Sequence, residues 1–271
     1  MEFGLKVLLS FIVGGAAVSA VVWTSEHLGT HIGGAIAGIP ITISLSLVFI
    51  CFTAGSGAAR AASVIIPIVV LVGLLYAYIF TQVARSIDSS KDKHLKATAA
   101  AIVAWFIAAI IVRRVFAHAT LTFIIPVALL GMIGVHYLFK NFRSSKPKKL
   151  EMPPGMYVVR FLIAGSVVAG AVIAARLLGP TWGGIVSSVP AIFSTSLYFL
   201  NKSQGCAFTE GFAKRLPLSC ISVLVFIIIL HTSLTRIPAA LAFLIGISGS
   251  IAYTYALLSV NKPTVAVGQI D

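Results

Sequence analysis

Apolar residues run along this chain in long blocks, with polar residues gathered in short stretches between them. A block of about 20 residues crosses roughly 30 Å of hydrocarbon as a helix. The pattern predicts nine such spans, near residues 7–23, 32–52, 64–83, 97–112, 121–139, 157–177, 184–200, 218–231 and 237–258. The eighth is short unless it begins within the polar stretch before it. The second and seventh carry Gly-Gly and Pro, residues that weaken a helix.

The second span contains GGAIAGIP, Gly33 to Pro40, and the seventh contains GGIVSSVP, Gly183 to Pro190. Their separation is 183 − 33 = 150. At that offset, 15 of the 60 pairs between residues 8–67 and 158–217 are identical, where composition alone gives roughly five. The matches include Phe11/Phe161, Gly15/Gly165, Pro40/Pro190, Ser44/Ser194, Ser46/Ser196, Gly55/Gly205 and Pro67/Pro217. Glycine and proline are backbone choices that chance apolar similarity does not favour, so the chain reads as a duplication. Residues 1–117 form a first four-span repeat, 118–156 a linking span with a basic linker, and 157–271 a second four-span repeat. Five spans precede the second copy, and five is odd. The expected fold is therefore an all-α polytopic membrane protein with two inverted-topology repeats and interrupted helices.

Composition agrees with this class. Of 271 residues, 59% are hydrophobic and 10% charged, and the mean hydropathy is +1.04, far from the balance of a soluble domain. The first span resembles a secretory signal, with Lys6, an apolar run and Ala17-Val18-Ser19-Ala20. Its partner copy lies mid-chain from Phe161, so the span is expected to be retained. Six of the 20 basic residues fall on the N-terminal side of the nine spans and 14 on the other. Positive loops stay inside, which predicts a cell-membrane protein with its N-terminus outside and its C-terminus cytoplasmic.

The candidate site follows from the repeated break. Gly33, Gly34, Gly183 and Gly184 let the backbone leave helical geometry or let helices approach. Pro40 and Pro190 donate no backbone hydrogen bond, and Ser44, Ser46, Ser194 and Ser196 offer hydroxyls just beyond them. Such a set suits a substrate held where two opposed halves meet. Glu26 is matched by Arg176 and Arg60 by Glu210, placing both glutamates toward the cytoplasmic face and both arginines toward the outer one. Arginine grips phosphate and carboxylate bidentately, so Arg60 and Arg176 are candidates for anion capture.

Other chemistry is sparse. No carboxylate falls mid-span, which argues against a carboxylate proton relay and against a divalent-metal path. Glu26, His27 and His31 read as a polar loop rather than a zinc site. Cys51, Cys206 and Cys220 lack metal-type spacing and read as free thiols. The other histidines are scattered, so neither an enzyme nor a cofactor is expected.

The segment from Phe161 through LLGPTWGGIVSSVPAIFSTSL resembles the small GlpM-like membrane proteins and related uncharacterised four-span families. Arg176, Gly179, Pro180, Gly183, Gly184 and Pro190 carry the likeness, and the first copy departs from it at Glu26 and Thr30. The resemblance implies a fused duplication of a four-span module. The expected function is a transporter working by alternating access, moving or flipping an anionic or phosphate-headed substrate. A non-transporting scaffold or assembly factor and a channel for small ions are the alternatives. The expected partners are the lipid bilayer, a small-molecule or lipid substrate and, as a candidate assembly, a second copy of the chain, with no nucleic acid.

Overall fold

A computed structural model describes residues 2–27, 39–87, 92–143 and 155–260. Among them the chain is helical, in twelve segments: α1 (Phe3–His27), α2 (Ile41–Ala54), α3 (Ser56–Ser86), α4 (Lys93–Val115), α5 (Leu121–Phe139), α6 (Gly155–Leu177), α7 (Pro180–Ser187), α8 (Ala191–Gln204), α9 (Cys206–Ala213), α10 (Leu216–Ser219), α11 (Ile221–Ser233) and α12 (Ala239–Val260). Eight stretches are long and apolar enough to cross a membrane, and α2 is a shorter apolar helix. This is a polytopic helical membrane protein. A helix stands at each of the nine expected positions, with the first part of the second span, 32–38, outside the described residues. The eighth span starts upstream at Cys206 and runs to Ser233, giving it the length its apolar core lacked. It is jointed around Lys214–Arg215 and Cys220, and Pro217 sits in the four-residue piece between the joints.

The two copies repeat each other's joints. Helices α2 and α8 are both 14 residues long and begin after Pro40 and Pro190, whose dihedrals are φ −80°, ψ 53° and φ −74°, ψ 53°. The Ile41 N–H donates to Ile39 O at 2.8 Å and the Ala191 N–H to Val189 O at 2.7 Å, so each proline centres an inverse γ-turn. Both helices end at a glycine with φ near +85°, Gly55 (φ 87°, ψ 167°) and Gly205 (φ 84°, ψ 177°). That region is open essentially to glycine alone, which accounts for the identity at this pair.

Contacts at the helix ends fix the directions. The Arg176 guanidinium lies 4.1 Å from the Phe3 ring, Arg113 lies 4.9 Å from the Trp182 ring, and the Arg60 Nε donates to His231 O at 3.2 Å. These gather the start of α1 and of α3 with the ends of α4, α6 and α11. At the other end, Arg143 N–H donates to Glu210 Oε2 at 2.8 Å and His94 meets Tyr198 with ring centroids 6.0 Å apart. Helix α5 runs from the arginine end to this second end. Helix α6 consequently enters from the end opposite to α1, and the two lie antiparallel.

Their contact is reciprocal. A Cβ on Gly15 would stand 2.7 Å from the Phe161 carbonyl oxygen, and one on Gly165 2.6 Å from that of Phe11. The Phe11 and Phe161 rings pack edge-on, centroids 5.6 Å apart. Residue and partner exchange roles across this contact, Gly15 meeting Phe161 and Gly165 meeting Phe11.

Helix α3 is the centre of the bundle, with Ile66, Val69, Leu74, Tyr76 and Phe80 fully buried. Pro67 stays within it, where packed neighbours support the interrupted hydrogen-bond ladder. Helices α4, α5 and α12 present Val103, Phe106, Leu130, Leu244 and Tyr255 outward, as a lipid-facing surface does.

Candidate functional site

The two proline turns converge on one central cavity of about 60 Å³. Its lining repeats at the offset of 150: Ile39/Val189, Pro40/Pro190, Ile41/Ala191, Thr42/Ile192, Ile43/Phe193, Val70/Cys220 and Gly73/Val223, with Ser187 and Ser188 added. The last two pairs lie beyond Pro67/Pro217, so the correspondence extends into the middle of α3 and, past the Cys220 joint, into the start of α11. Offset-related residues from both parts of the chain thus line one space.

Its chemistry is mainly apolar. The Ser187 and Ser188 hydroxyls both donate to Gly184 O, at 2.7 and 2.9 Å, and are turned into their own helix. A helix start leaves backbone N–H groups without helical acceptors, so α2 and α8 each turn an electropositive end toward the cavity. Thr42 is 7% exposed, and its Oγ1 has no hydrogen-bond partner among the described residues. Among the described residues, no lysine, arginine, aspartate or glutamate lines this space. Fixed dipoles rather than charged side chains set its polarity.

The expected site residues distribute unevenly around it. Pro40 and Pro190 line the cavity. Ser46 is buried and donates to Thr42 O at 2.8 Å, while Ser194 donates to Pro190 O at 2.7 Å and borders a second space described below. Ser44 and Ser196 are half-buried on α2 and α8. Gly183 is wedged against Ala175 and Ile50, and Gly184 against the backbone of Ala62. These two glycines hold α7 close to α6 and α3 rather than lining the cavity. Gly33, Gly34 and the Glu26 side chain lie outside the described residues, as does His31.

Arg60 and Arg176 are exposed, and both sit at the arginine end rather than in the cavity, engaged with His231 and Phe3. Glu210 is buried at 3% exposure and holds the chain leaving α5 through the Arg143 N–H. Arg160 is also buried, at 3% exposure, near the start of α6 and inside the span expected over 157–177. Its counterpart at the offset of 150 is Ser10, itself fully buried. Among the described residues no group of three His, Cys, Asp or Glu side chains is placed to hold a metal ion.

Residues 7–118 match the model of a family described as "Protein of unknown function (DUF3147)". The match covers helices α1 to α4 and stops before α5. No curated protein and no solved structure matches the chain.

Proposed function

We propose that this chain is a membrane transporter that works by alternating access, with its two halves as inverted repeats and its substrate site at the cavity between the proline turns. One observation carries this reading: the helix breaks of both halves line a single cavity with equivalent residues. Two opposed halves can exchange conformations around such a site and open it to either face in turn. Irregular backbone at membrane depth is supported where protein or a cavity covers it, and both γ-turns meet that condition. The facing helix starts favour an anionic or phosphate-bearing group, because their N–H dipoles offer positive potential without a cation to neutralise. In the same reading, the arginine end faces outward and the lysine-rich end faces the cytoplasm.

The test is accessibility. In a background lacking Cys51, Cys206 and Cys220, Thr42→Cys and Ile192→Cys are introduced singly and the protein is reconstituted in liposomes. Membrane-impermeant thiol reagents are then applied from one side at a time. Alternating access predicts reaction at both positions from either side. Failure of both cysteines to react from any side would mean a sealed packing seam and would remove the transport reading.

A further inference from the structure

A groove of about 640 Å³ opens between α4 and α6 with α8 as its floor, and its polar groups are few. It is lined along the first half of α4 by Leu95, Ile102, Trp105 and Phe106, along the start of α6 by Val159 and Ile163, and below by α8. Thr98, Ser194 and Thr195 also border it, but their hydroxyls donate to His94 O, Pro190 O and Ala191 O of their own helices. Apart from the Trp105 Nε1, which is buried without a hydrogen-bond partner among the described residues, the walls are apolar. The groove faces the hydrocarbon, since Phe106 is 53% and Val159 46% exposed.

The two ends of the groove differ. The inner end reaches Val189, Pro190 and Ala191, which also line the central cavity. The outer end, at Leu95 and Tyr198, has a lysine on each wall: Lys93 stands two residues before Leu95 at the start of α4, Lys202 stands one helical turn after Tyr198 near the end of α8, and the His94 ring packs against Tyr198. An apolar slot with a cationic rim at the membrane face matches one kind of molecule, an apolar chain carrying a negative head.

We propose that this groove binds one acyl chain of an anionic phospholipid, with the phosphate held at the rim by Lys93 and Lys202. The proposal names a substrate class for the central cavity and in that respect rests on the transport reading. A lipid seated here would have its headgroup at one face and its chain leading to the Pro190 turn, the wall shared with the site. The volume lies within the range of sites that enclose a ligand of this size. The attraction of anionic lipid to lysines near a membrane surface supplies selectivity over a zwitterionic headgroup.

Trp105 makes the test direct, because it lines the groove and is otherwise 1% exposed. In a Trp23→Phe/Trp182→Phe background of the full chain, its fluorescence is titrated with phosphatidylglycerol brominated along the acyl chain, and with phosphatidylcholine brominated identically. Saturable quenching at about one lipid per chain is expected for phosphatidylglycerol, at roughly tenfold lower concentration than for phosphatidylcholine. Lys93→Gln/Lys202→Gln should abolish that preference. Val159→Phe, at an exposed wall position, should abolish saturable quenching while gel filtration and circular dichroism stay unchanged. Equal quenching by both lipids, or none, overturns the proposal. A parallel assay follows movement of fluorescent phosphatidylglycerol between leaflets of liposomes. Saturable quenching without leaflet exchange upholds the groove and removes lipid transport, whereas exchange unaffected by Val159→Phe upholds transport and removes the groove.

Discussion

Gly15→Ala and Gly165→Ala add one methyl group to each side of the α1–α6 contact. The new Cβ atoms would stand 2.7 Å from Phe161 O and 2.6 Å from Phe11 O. Carbon and carbonyl oxygen meet at about 3.3 Å, so each variant needs roughly 0.6 to 0.7 Å of extra separation. The opposing atoms are backbone, and no rotamer change relieves them. Overpacking of this kind costs about 1–3 kcal/mol, and the near-equal distances predict near-equal losses. One separation of the helix axes relieves both collisions. The double variant should therefore lose clearly less than the sum of the singles, with a coupling on the order of 1 kcal/mol. Equilibrium unfolding of the detergent-solubilised chain measures all three. Gly134→Ala on α5, where a Cβ meets nothing within 4 Å, is the control and should be neutral or stabilising by up to about 1 kcal/mol, because alanine is the better helix former. Additive single effects, or a loss in one variant and none in the other, would refute the reciprocal contact.

Two further predictions concern the joints. Gly55→Ala and Gly205→Ala have open space around the added methyl but force an L-residue into φ near +85°, so each should lose about 1–3 kcal/mol through backbone strain alone. Gly57→Ala, equally open and inside a helix, should show no such loss in the same unfolding measurement. Glu210→Ala removes the acceptor of the Arg143 N–H and should cost about 1–3 kcal/mol. Protease digestion should then cut faster near Arg143 than in the parent chain, and an unchanged cleavage rate would mean that the contact does not hold this segment.

The order of apolar blocks determined the class of this protein, because a helix is the only way a single chain segment satisfies its own backbone in hydrocarbon. The helix positions and the break after Pro190 were legible for that local reason, whereas α2 ends at Gly55, beyond the expected end of its span at 52. The offset of 150 exposed the duplication, since a φ that only glycine adopts and a γ-turn centred on proline write themselves into residue identity. Other features depended on approach between segments far apart in sequence. That Pro40 and Pro190 face the same cavity follows from the antiparallel packing of the two halves, and no local pattern encodes a distance between halves. Arg60 and Arg176 carry the same charge signature wherever their helices end, and packing put them at one end of the bundle rather than at the cavity. Gly183 and Gly184 read equally well as hinge or contact until α3 and α6 were found against them. The apolar groove is composed from three helices, α4, α6 and α8, none of which alone has a concave face.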